Sequence, residues 1–372
     1  MFSFRAKIDW LLVAAIIPLM LAGLITMNSF SGQSSFFTKQ LFWIGVSFVV
    51  FFAFSFMDFR FLRRTGVLVS LYAAGCGILA VLLVFGRVVN GAQSWVSIGL
   101  FSIQPTDPIK IVLILVLAKY FSRRHVDIAN IRHILVSGAY TLILFALIAL
   151  QPDFGSAIII AAIWFGMVLV SGISKKHLLA VVLIGAVALG GAWLFLFKDY
   201  QKARILTFLH PMSDTRGAGY NAYQSMIAVG SGELLGEGIG YGTQSRLNFL
   251  PEHETDFIFA SFAEEWGFLG VLILFLLFGI VIWRILHNAM LGETNFEILY
   301  GAGVAILLMA HIIVHVGINI GLLPVTGTTI PFLSYGGSHL VTEMGALGIL
   351  MGMRKYGRVT HRENMELSLN ER

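Results

Sequence analysis

FIFASFAEEWGFLGVLILFLLFGIVIW, residues 257–283, is an almost unbroken apolar run whose only charged side chains are Glu264 and Glu265. About 20 consecutive apolar residues cross the hydrocarbon of a bilayer, so this stretch reads as a transmembrane helix. Nine further windows flank it, at about 10–28, 40–56, 66–85, 108–121, 134–151, 155–171, 177–197, 299–322 and 334–353, each bounded by charge or by Gly/Pro punctuation. The chain therefore reads as all-α: a polytopic membrane protein of about ten transmembrane helices forming one domain over residues 1–372. Composition agrees, with 57% hydrophobic and 12% charged residues and a mean hydropathy of +0.84. A typical soluble domain carries about twice that share of charge. An ordinary cytosolic globule, a disordered chain, collagen and a coiled coil are all excluded.

Ten spans put both termini on one side, and lysine and arginine choose that side. With the N-terminus cytoplasmic, 17 of the 25 basic residues fall on inner segments, among them Arg60, Arg63, Arg64, Lys175, Lys176 and Arg284. Both termini are therefore expected in the cytoplasm. Trp10, Trp43, Trp193 and Trp283 fall near span ends, where interfacial anchors belong. On the outer side, residues 198–256 form an extracellular loop between helices seven and eight, far longer than the usual connection. Eight glycines between Gly217 and Gly242 allow either tight turns or close approach to a ligand. The apolar stretches Ile205–Leu209 and Ala222–Val229 are expected to lie on the membrane surface. A second outer segment, 86–107, carries an Asn90-Gly91 turn and Trp95.

Chemistry-bearing residues gather on the outer side. Asp107-Pro108 reads as an N-cap followed by proline at the first helical position, and Asp153 as a cap at the head of span six. Lys110 shares a helix face with Asp107 and costs at least ~2.5 kcal/mol if it faces lipid, so it needs a partner or a wet cavity. Two helix N-termini and a lysine make a seat for an anion. The long loop ends in Leu250-Pro251-Glu252-His253-Glu254-Thr255-Asp256, the densest titratable cluster on that side. Asp256 stands at the water–membrane boundary, where partial desolvation raises a carboxylate's basicity. Glu252, Glu254 and Asp256 are candidate ligands for Mg²⁺ or Mn²⁺. Glu264, Glu265 and Glu343 lie inside spans and need internal partners. His311 and His315, at i and i+4, invite a metal or proton-relay reading, with polar packing as the simpler one. Cys76 is the only cysteine, so no internal disulfide or cysteine metal site forms. There is no GxSxG elbow, GxxxxGK[ST] loop or GxGxxG turn. On the residues alone, a transporter with a functional outer face leads.

Several motifs resemble those of the SEDS family, named for shape, elongation, division and sporulation. They are Gly91-Ala92-Gln93-Ser94-Trp95, Gln104-Pro105-Thr106-Asp107 with Lys110, Gln151-Pro152-Asp153-Phe154-Gly155, and Gly219-Tyr220 through Gln224-Ser225. More diagnostic are Gly242-Thr243-Gln244, the run Phe249 to Ala260, Glu264-Glu265, and Leu323-Pro324 through Pro331 to Ser338. Short tails and the Gly-Thr-Gln resemble the elongation branch more than the division branch. The resemblance implies a peptidoglycan glycosyltransferase in the bacterial cytoplasmic membrane that polymerises lipid II into β-1,4 glycan on the outer face during elongation and rod-shape maintenance. It matches Asp256 to the family's essential aspartate, which would activate the acceptor hydroxyl. Lys110, Asp107, Asp153, Trp95 and Glu264 become substrate-binding candidates, with a divalent cation as a possible cofactor and no organic one. A class B penicillin-binding transpeptidase and other elongation-complex proteins are the implied partners, and no nucleic acid is expected. Asp107 stands where the family usually has glutamate, Ser94 where a basic residue is frequent, and His339 where a small residue is common. A lipid II flippase and a non-catalytic scaffold recruiting a transpeptidase are the competing readings.

Overall fold

The structure, a computed structural model, describes residues 8–29, 35–89, 92–98, 101–123, 131–195, 197, 199–209, 218–247 and 249–370. Ten long helices overlay the ten apolar windows: α1 Trp10–Ser29, α2 Ser35–Phe56, α3 Thr65–Phe85, α4 Thr106–Ser122, α5 Ile131–Leu150, α6 Phe154–Val170, α7 Lys175–Phe195, α11 Ile258–Met290, α12 Asn295–Asn319 and α13 Gly337–Asn370. Seven of them are long and apolar enough to cross a membrane by length and composition, and α6 is a shorter apolar helix. They run alternately up and down, so the ends of α1, α3, α5, α7 and α12 and the starts of α2, α4, α6, α11 and α13 lie at one face of the bundle, the loop end.

Packing follows burial. α12 is enclosed along most of its length, whereas α7 buries no residue and presents its apolar surface all round. An all-round apolar helix is at home only against lipid or other helices. α2 lies close along α13, where a Cβ added at Gly348 would sit 2.8 Å from Phe51 O, the kind of small-residue contact that lets membrane helices approach. Trp43 packs beneath Gly337 in this seam, so it serves helix packing as well as any interface.

Two features depart from the expected plan. Segment 86–107 holds a small antiparallel sheet, β1 Arg87–Val89, β2 Ala92–Ile98 and β3 Phe101–Ile103, with Val96 opposite Ile103 and Arg87 opposite Trp95. The Asn90-Gly91 turn lies outside the described residues. The chain is thus helical with one small sheet, because short alternating runs between two spans pair with each other. The loop 198–256 is also built rather than draped: it holds α8 Asp199–Leu209, α9 Ala218–Ser231 and α10 Thr243–Arg246. Ala222–Val229 belongs to α9, which packs on α11 and α12, with Ala228 and Ser225 fully buried and Ser225 Oγ donating to Asn319 O at 2.9 Å.

The opposite end is locked by charge. Asp9 caps α1 through Leu12 N (3.2 Å) and accepts from Arg284 Nε (2.9 Å) and Asn288 Nδ2 (2.6 Å). Burial pushes the Asp9 carboxyl up, but hydrogen bonds from Asn288 and Arg284 outweigh it and hold the group below the usual carboxylate range. A depressed carboxylate stabilises the fold above its unfolded value, and that contribution is lost as pH falls through the folded one. Asp9→Ala should therefore cost about 3 kcal/mol at pH 7, since it leaves Arg284 without its counterion, and the penalty should shrink in melts run under acid. Arg63 ties the α2–α3 turn to Glu293 (2.7 Å) and Glu297, and Glu297 closes a capping box with Thr294 at the head of α12.

Candidate functional site

Asp256 sits on a tight turn at the head of α11. Buried Leu250 and Phe257 pin the turn's two sides, and Thr255 N and Phe257 N both donate to Glu252 O at 3.2 Å, with Glu252 itself at φ +52°. Asn319, at the end of α12, clamps the turn by donating Nδ2 to Asp256 O (3.0 Å) and accepting at Oδ1 from Ala260 N (3.0 Å). Ser334 Oγ donates to Thr255 O (2.9 Å), and Tyr335 N donates to Glu254 O (2.9 Å), so the segment before α13 forms the opposite wall.

The Asp256 carboxylate faces the backbone at Gly327, whose φ is +70° and where an added Cβ would lie 3.5 Å from Asp256 Oδ2. Among the described residues no side chain hydrogen-bonds to it. Burial raises its pKa to about 7, with the nearby Glu252 charge pushing the same way and Arg204 of α8 opposing. A half-buried carboxylate that titrates near neutrality has the property a general base needs. Arg204 lines a cavity of about 60 Å³ with Phe208, Met226, Leu323 and Pro324, along the same extended segment that reaches Gly327.

That segment also connects Asp256 to the second cluster. Thr328 O accepts from His315 Nδ1 (2.7 Å) and Thr329 O faces His311 Nδ1 (3.2 Å), so both histidines serve polar packing. Gly155, at the start of α6, lies so close to Thr328 and Thr326 O that no side chain would fit. Asp153 caps α6 as expected, accepting from Ser156 N (3.0 Å), and its other oxygen accepts from Gln104 Nε2 (2.8 Å). Ser338 Oγ closes on Gln104 N (3.2 Å), so the heads of α4, α6 and α13 meet around one glutamine.

Lys110 and Asp107 are both buried and paired at 3.0 Å, as their shared face requires. The capping expectation for Asp107 is corrected, because Pro105 occupies the N-cap of α4 and Asp107 lies inside the helix. Its carboxylate is drawn instead to Lys110 and to His339 Nδ1 (3.5 Å). Trp95 is half-buried on β2 and makes no hydrogen bond or ring contact with this cluster among the described residues. Glu264 is held by the loop, accepting from Gln244 N (2.8 Å) and Ser245 Oγ (3.1 Å) at the head of α10.

Glu252, Glu254 and Asp256 do not converge. Glu252 accepts from Thr255 Oγ1 (3.0 Å) and Glu254 pairs with His253 Nε2 (3.3 Å). Burial works against charge on His253 and Glu254, yet their mutual contact raises the histidine's pKa and lowers the glutamate's. The described residues contain no group of three His, Cys, Asp or Glu that could hold a metal ion, so this donor set does not fit a cation held by protein alone. Neither Asn319 nor Arg204 stands out in the sequence as a site residue. An asparagine at a helix end is an ordinary terminator, and only the packing of α9, α11 and α12 around it reveals the clamp.

Residues 5–359 match a family model for FtsW, RodA and SpoVE, described as cell cycle proteins. Peptidoglycan glycosyltransferase MrdB of Escherichia coli is 38% identical over 77% of this chain and 75% of its own. A probable peptidoglycan glycosyltransferase FtsW of Thiomicrospira cyclica is 36% identical over 92% and 91%. Among solved structures, a chain described under the structural coordination of polymerization and crosslinking by a peptidoglycan synthase complex matches with a TM-score of 0.81 and 30% identity, over 94% of this chain and 98% of that one.

Proposed function

Because the chain belongs to the FtsW/RodA/SpoVE family, we propose that it polymerises lipid II, with Asp256 as the base that activates the acceptor hydroxyl. It is a multi-pass protein of the cytoplasmic membrane and a peptidoglycan glycosyltransferase. The observation that carries the base assignment is one carboxylate, free of side-chain partners among the described residues, lifted to about 7 at the loop end of the bundle. As the acceptor sugar's oxygen bonds to the donor's anomeric carbon, Asp256 takes the hydroxyl proton. The bond from that carbon to the diphosphate breaks, and the electron pair leaves with the diphosphate oxygen.

Negative charge then builds on the leaving group, and preorganised donors lower the barrier where charge develops. Lys110 supplies an ammonium with spare N–H donors, and the heads of α4, α6 and α13 bring the positive ends of their dipoles to the same region. With the N-terminus cytoplasmic, this face opens to the outside, where glycan is assembled. A divalent cation such as Mg²⁺ or Mn²⁺ would enter with the diphosphate, and no step above depends on it.

Elongation is the cellular role we favour, on the Gly242-Thr243-Gln244 run and the 38% identity to MrdB. A class B penicillin-binding transpeptidase is the proposed partner, supported by the likeness to a chain described within a peptidoglycan synthase complex. Purified protein incubated with lipid II, with and without transpeptidase and Mg²⁺ or Mn²⁺, should yield a ladder of glycan lengths. Lipid II translocation without any ladder would favour the flippase instead. Depleting the protein from a rod-shaped host should give rounded cells; filaments would assign it to division.

A further inference from the structure

The cluster around Lys110 continues past it into the bundle, through groups that the reaction above does not use. His339, in the first turns of α13, places Nδ1 3.5 Å from Asp107 Oδ1 and Nε2 2.9 Å from Glu343 Oε1. Its ring packs on His311 at 4.5 Å between centroids, and His311 Nε2 in turn lies 3.5 Å from Lys110 Nζ. Asp107, Lys110, His311, His339 and Glu343 are all buried. The charged groups facing His339 are therefore Asp107 and Lys110 from α4 and Glu343 from its own helix, with His311 and, beyond it, His315 from α12 as the neighbouring titratable rings. Counted with the imidazoles neutral, two carboxylates face one ammonium. An uncompensated charge inside a membrane bundle is expensive, and a single imidazolium between the carboxylates removes it.

We propose that His339 is a positioning residue for Lys110, held as an imidazolium between Asp107 and Glu343 so that Asp107 is shared and the ammonium keeps donors free for the anionic leaving group of the substrate. Without that positive charge, Asp107 and Glu343 together over-neutralise Lys110, and an incoming diphosphate meets net negative charge. The proposal rests on the glycosyltransferase reading for the identity of the anion. Its charge balance stands on the geometry alone.

The test is a set of variants in nanodiscs, read by binding of undecaprenyl diphosphate and by lipid II kinetics. His339→Gln should weaken binding at least tenfold and raise KM with kcat within about threefold. Glu343→Gln should stay within threefold of wild type, because with Glu343 neutral the pair of Asp107 and Lys110 is balanced without a charge on His339. The double variant H339Q/E343Q should likewise return to within threefold. A purely packing role predicts the opposite, a double variant at least as impaired as H339Q. H339K, which keeps a fixed positive charge, should retain binding and serves if H339Q does not accumulate. Wild-type binding by H339Q, failure of the double variant to recover, or loss of binding in H339K overturns the proposal. A wild-type protein that binds the probe but makes no glycan sinks the glycosyltransferase reading, while the order of the variants still decides the role of His339. One that does not bind the probe overturns the proposal itself.

Discussion

Asp256→Asn should reduce glycan synthesis by about 10²- to 10⁴-fold, the range a positioned general base contributes, while the protein stays folded in the membrane. The amide keeps the shape of the carboxylate and cannot take the proton. Fold and catalysis separate cleanly here, because burial already disfavours the charged form. A carboxylate with a raised folded pKa stabilises the native state below its unfolded value, and that contribution is lost as pH rises through the folded one. With the folded value near 7, ionised Asp256 is a net cost to the fold at pH 8. Asparagine removes that cost, so the variant's melting temperature at pH 8 should equal or exceed that of the wild type. The same titration shapes the wild-type rate, which should climb as pH passes through about 7 and level off above it. A flat profile across that range, or a D256N variant that still builds polymer at full speed, would remove Asp256 from the base role.

The loop's charge pattern explains why this carboxylate and not its neighbours holds the position. Glu254 is committed to His253 and Glu252 to Thr255. Asp256 points across to the glycine backbone at Gly327, where no side chain among the described residues competes for its lone pairs. Glu252 still acts at a distance, since its charge helps keep the Asp256 proton on. Neutralising Glu252 should therefore lower the pH of half-maximal rate, whereas removing the Arg204 charge should raise it.

Much of the bundle was legible because lipid imposes a simple rule. Backbone polar groups must be satisfied within each span, so spans announce themselves as apolar runs, and all ten windows became helices. Lys110 was legible for a related reason, since a buried ammonium demands an acid and Asp107 stood on its face. The pairings that depend on chain folding over long range were not legible. His339 lies more than two hundred residues from Asp107, and no periodicity links them. Asp107 looked like a cap because the local rule counts only the helix start, while the contacts that claim it come from Lys110 and from α13. The loop misled in another way. Its apolar stretches suggested a surface-lying segment, but Ser225 and Ala228 belong to a helix buried against α11 and α12.

Gly267→Ala should lower the thermal stability of the protein by about 3–5 kcal/mol and take activity with it. That figure combines ~1–3 kcal/mol for a non-glycine residue in a glycine-only backbone region with a similar cost for overpacking. Gly267 interrupts α11 at φ +65° and ψ −171°. The turn after α9 enters that break and completes its hydrogen bonding: Glu237 N and Gly238 N donate to Glu264 O (2.9 Å) and Glu265 O (3.1 Å), while Phe268 N and Leu269 N donate to Glu233 O (3.0 Å) and Leu234 O (3.1 Å). A broken helix inside a membrane protein is tolerated only where neighbouring backbone supplies partners in this way. The fit leaves no room for a methyl group, since a Cβ on Gly267 would meet Gly236 N and Leu235 C and lie 2.8 Å from Gly232 O. Pushing the turn out would strip the break of its partners and free the first part of α11, which carries Asp256 at its head. Gly279, on the same helix with nothing near its missing Cβ, is the control, and Gly279→Ala should leave melting and rate unchanged within error. Equal behaviour of the two substitutions would mean that the inserted turn does not hold the head of α11, and the catalytic carboxylate would need another explanation for its position.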